Sequence, residues 1–334
     1  MAIFPMKSKN AQPYIVGVGS ALMDIILFES ERFVADHNLI KGGMEMVGPE
    51  RADELLAYSA NAQNARMVPG GSACNTTIGL GRLCGKAFFI GTRGNDAIGR
   101  TLEAAIESNN VTPRLGKSDT PTGRVLSVIT PDAERTMLTY LGASSETSAE
   151  MISPELFRGA DMVHVEGYLM FNEPLIRAIF ASAATAEVPV SLDLASFTVV
   201  EAKLDLVKEL VQKYVSVLLA NEAEAHSYTG IPDELDALKV LARDAECAVV
   251  KVGKRGSYAC VNNEITKIEP AGSGAALDTT GAGDLWASGF IYGLITGKSV
   301  AECGRLASLC GYEVCRVEGA HIPEEGWIRI KSAY

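Results

Sequence analysis

The sequence is poor in the residue types that metal centres and disulfide frameworks require. Its 334 residues include only four histidines and seven cysteines. The histidines do not cluster and the cysteines form no C-x-x-C pair, so no zinc site is evident. An odd number of scattered cysteines is typical of reduced thiols in a cytoplasmic protein.

Long hydrophobic runs and an excess of positive charge are also missing. No stretch approaches the roughly 18 apolar residues of a membrane span, and residues 1–10 show no secretory signal. The net charge is -11, from 30 basic and 41 acidic residues. We therefore expect a cytoplasmic protein that binds neither nucleic acid nor an anionic membrane. This charge is still compatible with a local site for a small anion.

The second half of the chain alternates short apolar runs with amphipathic segments. Residues 215–219 and 248–252 predict buried strands, and residues 234–244 between them predict a helix. Such alternation predicts an α/β fold with a mostly parallel sheet that helices cover on both faces. Ligands of these folds bind beyond the carboxyl ends of the strands. Four polar residues follow predicted strands and are expected at one crevice: Asp24, Glu166, Asp193 and Asn221.

Two early segments interrupt this rhythm, at about residues 25–48 and 111–141. The second contains a predicted hairpin, residues 124–130 and 135–141, around Pro131 and Asp132. We expect the two segments to form a small separate β-sheet inserted into one large domain that spans residues 1–334.

The stretch from Asp278 to Phe290 combines a polar turn, a loop of small residues and an apolar helix. A helix that begins at Gly281 to Gly283 would direct free N–H groups and its positive dipole end into the loop, which predicts an anion site. Asp284 places a carboxylate inside that site, a combination that favours phosphoryl transfer over simple anion binding. The alternative is that Asp278 or Thr280 merely caps the helix.

Two other nucleotide-binding patterns are incomplete. Gly17 and Gly19 begin a dinucleotide fingerprint, but position 22 is leucine where the third glycine is needed. Residues 293–299 resemble a Walker A loop with one residue too few between the glycines. They also end a predicted helix, whereas a phosphate-binding loop begins one. A dinucleotide-dependent oxidoreductase is therefore disfavoured.

Three motifs occur in a fixed order: Gly70-Gly71-x-x-x-Asn75, Asn221-x-x-Glu224 and Asp278-Thr279-x-Gly281-Ala282-Gly283-Asp284, with Asp24 upstream. Together they resemble the signature of the ribokinase-like (PfkB) family of small-molecule kinases, over nearly the whole chain. The resemblance implies a ribokinase-like three-layer fold whose small β-sheet is a lid. The insert before Gly70 and residues 121–123 and 319–323 are most similar to the adenosine kinase branch. Residues 166–168 are closer to the sugar kinases.

The resemblance also implies the roles of the acceptor and transfer sites. Asp284 would accept the proton of the substrate hydroxyl, while the backbone N–H groups of Gly281, Ala282 and Gly283 stabilise the transferred phosphoryl. A helix N-terminus is expected to lower the pKa of Asp284. The residues implied in substrate binding are Asp24, Gly70, Gly71, Asn75 and Glu166.

The phosphoryl donor implied by the resemblance is ATP. It would be bound by Asn221, Lys251, Gly253 and Gly256, with Mg²⁺ held through water by Asn221 and Glu224. Asp278 and Thr280 occupy positions where the family often binds a monovalent cation such as K⁺, largely through backbone carbonyls. Arg135 could steady the phosphates or close a lid. Simpler alternatives stay open: a capping box for Asn221 and Glu224, a solvated strand-end lysine for Lys251, and an exposed hairpin arginine for Arg135.

The implied activity is ATP-dependent phosphorylation of a primary hydroxyl on a ribose-containing substrate, with adenosine converted to AMP as the leading reaction. A free-sugar kinase for ribose, fructose or a keto-sugar acid is one alternative. A catalytically silent nucleoside-binding or regulatory protein is another. By analogy with the family, a homodimer that pairs through the lid is also left open.

Overall fold

The computed structural model of the protein describes residues 8, 10, 12–132 and 134–333. Its strands are β1 (Ile15–Val18), β2 (Leu22–Phe28), β3 (Met44–Met46), β4 (Arg66–Gly70), β5 (Ala87–Gly94), β6 (Val111–Ser118), β7 (Gly123–Ile129), β8 (Arg135–Tyr140), β9 (Met162–Glu166), β10 (Val190–Asp193), β11 (Val215–Asn221), β12 (Cys247–Lys251), β13 (Ser257–Val261) and β14 (Glu264–Ile268). Its α-helices are α1 (Glu31–Asp36), α2 (Pro49–Tyr58), α3 (Ser72–Cys84), α4 (Ala97–Glu107), α5 (Glu173–Thr185), α6 (Phe197–Ala202), α7 (Leu204–Tyr214), α8 (Glu222–Thr229), α9 (Glu234–Asp244), α10 (Ala282–Ile295), α11 (Val300–Val314) and α12 (Glu324–Ser332).

The large sheet has nine strands in the order β14-β13-β12-β11-β10-β9-β1-β5-β6. The strands from β12 to β6 run parallel, and β13 and β14 are antiparallel at one edge. Alternate strand residues face opposite helical layers. On β11, Leu218 packs in the core with α5, α7 and α9, whereas Val217 and Leu219 pack with α3, α10 and α11. This three-layer arrangement confirms the predicted fold class.

The small sheet has five strands in the order β3-β8-β7-β2-β4. Its outer face is covered by α1 and α2. The apolar residues between them form what we call the outer-face cluster: Ile25, Leu27, Phe33, Val34, Leu55, Leu126, Val128 and Leu138. The inner face, with Asp24, Val125 and Met137, lines a cleft against the large sheet.

The small sheet differs from the prediction in its membership. Residues 111–118, expected in it, form β6 and pair in parallel with β5 at the edge of the large sheet. Residues 66–70, which were not predicted as a strand, pair with β2 as β4. β1 ends at Val18 and a new strand, β2, begins at Leu22, so Asp24 lies inside β2 and not at the end of a strand. The hairpin of β7 and β8 is as predicted.

All seven cysteines are free, and six of them are buried. Among the described residues, no helix has both the length and the apolar character needed to cross a membrane.

Candidate active site

A cleft of about 1360 Å³ lies between the small sheet and the carboxyl ends of the parallel strands. Glu166, Asp193, Asn221 and Lys251 are the last residues of β9, β10, β11 and β12, and all four line the cleft. Asp24 reaches it from β2 on the opposite side. The structure therefore brings together at one cleft the polar residues that were expected there because they follow predicted strands.

The loop before α10 forms one end of this cleft. Gly281 adopts a left-handed conformation (φ 69°) as the N-cap of α10, and a Cβ atom there would overlap Ala320. The N–H of Ala282 donates to the carbonyl of Thr279 (3.1 Å), so this amide closes a turn. Gly281 and Gly283 line the cleft, whereas Ala282 does not. Only two of the three residues expected to donate backbone N–H groups to the phosphoryl therefore line the cleft.

Asp284 lies where α3 and α10 begin. Its Oδ1 accepts a hydrogen bond from Ser72 Oγ (2.8 Å) and its Oδ2 accepts one from Asn75 Nδ2 (3.0 Å). Desolvation raises the pKa of Asp284 to about 6 against the opposing hydrogen bond from Asn75, and the charge of Asp193 adds to the increase. The expectation of a lowered pKa was wrong because desolvation outweighs the helix N-terminus. Ser72 was missed by the sequence analysis, although it directly follows the glycine pair.

Glu166 is fully buried and holds two backbone segments together. One carboxylate oxygen accepts from the N–H of Ser20 (2.9 Å) and the other from the N–H of Ala73 (2.8 Å). Burial raises the pKa of Glu166 despite these bonds. Because both oxygens already have backbone donors, Glu166 positions the start of α3 beside the end of β1.

Because Gly70 and Gly71 have no side chains, the backbone can pass close to Asp24. A Cβ atom on Gly70 would overlap the Asp24 carboxylate, and one on Gly71 (φ 93°) would overlap the carbonyl of Ser20. Asp24 is buried, and burial raises its pKa to about 7, opposed by the charge of Arg135. The Arg135 guanidinium is 3.9 Å from Asp24 Oδ2.

Asn221 and Glu224 form the capping box that was one reading of their spacing. Asn221 Oδ1 accepts from the N–H of Glu224 (2.9 Å), and Glu224 accepts from the N–H (2.8 Å) and Nδ2 (2.7 Å) of Asn221. Burial and the charge of Asp193 raise the pKa of Glu224, and Lys251 opposes them.

This pair fits a hydrated Mg²⁺ ion better than a directly ligated one. Among the described residues, no group of three or more His, Cys, Asp or Glu side chains is placed to hold a metal. Glu224 lines the cleft, and each carboxylate oxygen has a second lone pair that can accept from a metal-bound water.

Lys251 is not a solvated strand-end lysine. Its ammonium donates to Asp193 Oδ2 at 2.6 Å, and its side chain is only 15% exposed. Burial alone would lower the pKa of Lys251, but the charges of Asp193 and Glu224 outweigh it and the pKa is raised.

A second cavity of about 510 Å³ lies beside the cleft. Gly253 (φ 55°) and Gly256 (φ 93°) shape the turn after β12 on its wall, and a Cβ atom on Gly256 would overlap the carbonyl of Ile268. The two cavities have three lining residues in common: Lys251, Gly253 and Gly283.

Asp278 and Thr280 tie the small-residue loop to its surroundings. Asp278 Oδ1 accepts from the N–H (2.8 Å) and the hydroxyl (2.6 Å) of Thr280, and its Oδ2 accepts from the N–H of Gly319 (2.8 Å). Arg135 Nη1 of the small sheet donates to the same Thr280 hydroxyl (2.5 Å). These hydrogen bonds fix the two side chains, and a monovalent cation held through backbone carbonyls near them stays a prediction. Arg135 contacts the loop and is not a free hairpin arginine.

Comparisons with a family model, with solved structures and with known sequences all match this chain to kinases. The model of the pfkB family of carbohydrate kinases matches residues 13–326. The crystal structure of adenosine kinase from Sinorhizobium meliloti superposes with a TM-score of 0.89 at 28% identity, covering 97% of this chain and 100% of that one. A probable sugar kinase from Rhizobium etli has the same TM-score at 30% identity, covering 96% and 98%. The adenosine kinase of Dictyostelium discoideum is 26% identical over 335 residues, which cover 92% of this chain and 96% of that protein.

Proposed function

The chain belongs to the pfkB family of carbohydrate kinases, and from that premise we propose that it phosphorylates the 5′-hydroxyl of adenosine or a closely related nucleoside. Its class is a phosphotransferase that acts on a sugar or nucleoside hydroxyl. ATP, the donor that kinases of this family use, would occupy the second cavity, and the acceptor would occupy the large cleft.

An apolar wall in the cleft carries the proposal for a nucleoside. Met44, Met46 and Met137 of the small sheet line the same cleft as Asp24. Met44 is 43% exposed and Met46 is 54% exposed, although both are large apolar side chains. A nucleobase has flat faces that such side chains contact favourably. A free sugar bears hydroxyls around its ring and leaves this wall uncovered.

The site residues would divide the reaction between them. Asp24 accepts hydrogen bonds from ribose hydroxyls, and Ser72 and Asn75 orient Asp284. As the acceptor oxygen bonds to phosphorus and the bond to the leaving ADP oxygen breaks, Asp284 receives the hydroxyl proton. With a pKa of about 6, Asp284 is mostly ionised at pH 7 and can act as this base.

Two further groups would balance the negative charge of the transferred phosphoryl. The backbone N–H groups of Gly281 and Gly283, which line the cleft, would donate to its oxygens. Asn221 and Glu224 are the residues that would hold Mg²⁺ through water, and the ion would neutralise charge on the donor phosphates.

The first test is ADP release with adenosine, ribose and fructose as parallel acceptors. We expect kcat/KM for adenosine to exceed that for ribose by at least about 100-fold, which corresponds to about 2.7 kcal/mol. Equal or better use of ribose or fructose would favour a free-sugar kinase, the reading that the Rhizobium etli relative supports. Adenosine binding without turnover of any acceptor would favour a silent binding protein.

The apolar wall can be tested separately. The double variant Met44→Ala, Met46→Ala should raise KM for adenosine about tenfold, because it removes the surface that contacts the base. Met67→Ala is the matched control, since Met67 is also 54% exposed on the small sheet but does not line the cleft. An unchanged KM in the double variant would contradict the proposed base position.

A further inference from the structure

The two cavities meet at Lys251, Gly253 and Gly283. Resting on the proposed function, the donor occupies one cavity and the acceptor the other. The phosphoryl group must then pass this junction. Of its three residues, only Lys251 has a charged side chain.

Lys251 is placed over the start of α10. A Cβ atom on Gly283 would lie 3.2 Å from Lys251 Nζ, so the ammonium lies against the backbone of this first helical turn. On its other side the ammonium contacts Asp193, whose side chain is 5% exposed. An ammonium has three donors, and the bond to Asp193 uses one of them.

The surrounding charge explains why a cation is needed here. Asp193, Glu224 and Asp284 all act electrostatically on Lys251. Three carboxylates would repel an incoming triphosphate, and Lys251 offsets part of that repulsion. A buried ion pair is also a costly way to stabilise a fold, since apolar residues of similar size often do as well. The position therefore indicates a role beyond packing.

We propose that Lys251 is a catalytic residue that binds the phosphoryl group during transfer, and that Asp193 is a positioning residue that holds the Lys251 ammonium at the junction of the two cavities. Lys251 keeps its hydrogen bond to Asp193 and donates its remaining protons to phosphoryl oxygens. No proton is transferred from Lys251, because the ammonium acts by charge and hydrogen bonding alone.

The variants Lys251→Met, Lys251→Arg and Asp193→Asn test this. Lys251→Met should lower kcat about 100-fold or more, the usual effect of removing one transition-state donor, and leave KM for adenosine within threefold. Lys251→Arg should recover part of kcat because it restores the charge. Asp193→Asn should lower kcat about tenfold with little change in KM for adenosine, because the ammonium remains but is no longer held.

The matched controls are Lys239→Met and Asp236→Asn. These residues form an ion pair at 2.7 Å whose side chains are 55% and 60% exposed on α9. Both controls should keep wild-type kcat.

Calorimetry supplies a readout besides turnover. A non-hydrolysable ATP analogue, which carries the γ-phosphoryl group, should bind about tenfold more weakly to Lys251→Met than to wild type, while adenosine binds equally well. A kcat within threefold of wild type for Lys251→Met, or an equal loss of affinity for the analogue and for adenosine, would overturn the proposal. If Lys251→Met fails to fold, an unchanged kcat in Asp193→Asn would overturn the proposal as well. A wild type that uses ribose instead of adenosine would overturn the proposed function only, because the Lys251 series can be repeated with ribose.

Discussion

At the scale of single residues, Asp284 is the group whose charge state matters most. Its two oxygens accept hydrogen bonds from α3, and desolvation keeps its pKa near 6. The carboxylate must be ionised to accept a proton, so activity should fall as pH decreases through about 6. We expect kcat/KM to drop about tenfold per pH unit below that value. A flat profile between pH 5 and 7 would contradict Asp284 as the base.

Replacement of the base should separate catalysis from binding. Asp284→Asn keeps the shape of the side chain but removes its ability to accept a proton, so turnover should fall by at least about 100-fold. ADP affinity, measured by calorimetry, should stay within a few fold of wild type because the nucleotide occupies the neighbouring cavity. Near-normal turnover in this variant would rule out the assignment.

Asp24 should make the stability of the protein depend on pH. Its pKa is raised from 3.8 to about 7, so the folded state holds a proton that the unfolded chain releases between those values. The contribution of Asp24 to the free energy of unfolding is therefore fully present below about pH 4 and is lost as the pH rises to 7. Asp24→Asn is neutral throughout, and we expect it to melt a few degrees above wild type at pH 8 and at the same temperature near pH 4. If Asp24→Asn and wild type have equal melting temperatures at pH 8 as well as near pH 4, the raised pKa of Asp24 would be contradicted.

At the scale of elements, the turn between β4 and α3 determines how closely two parts of the site approach. Gly71→Ala introduces both a positive φ penalty and an overlap with Ser20, so it should destabilise the protein by about 3 kcal/mol or more. Gly159→Ala is the control, because Gly159 also has a positive φ (81°) but has open space around its Cβ position. That change should cost about 1 to 2 kcal/mol. Chemical unfolding of both variants measures the difference in their free energies of unfolding. Similar losses of stability would show that the backbone near Ser20 shifts to relieve the overlap.

Local patterns explain which elements were predictable. The strand–helix alternation and the glycine loops are short-range signals, so the three-layer fold and the elements around Asp284 followed from them. β4 was missed because its last residues, Pro69 and Gly70, favour a loop, and its pairing with β2 is non-local. The bond between Lys251 and Asp193 joins residues 58 positions apart and leaves no local pattern. The raised pKa of Asp284 likewise depends on desolvation that only the folded chain creates.

At the scale of the whole molecule, the small sheet lies across the cleft from the large sheet, and we expect it to close over a bound acceptor. Adenosine should increase the amide protection of β2, β3, β7 and β8 in hydrogen exchange, since their inner face lines the cleft. β6 is the internal control, because it belongs to the large sheet. Unchanged exchange in the small sheet with saturating adenosine would contradict closure.

The outer face of the small sheet limits how copies of the chain can pair. The helices α1 and α2 already cover this face through the outer-face cluster. The edge strands β3 and β4 are another route to pairing, and Met67 on β4 is exposed outside the cleft.

The outer-face cluster has a thermodynamic consequence for motion of the small sheet. Because α1, α2 and the sheet enclose their own apolar core, the unit can swing as a rigid body without exposing that core to water. The heat-capacity change of opening would then reflect the cleft surface and the packing of Met23 on β2 against α3 and α4. If little apolar surface is exposed, the free-energy cost of opening should have little curvature with temperature, whereas global unfolding exposes the outer-face cluster and should show a large heat-capacity change.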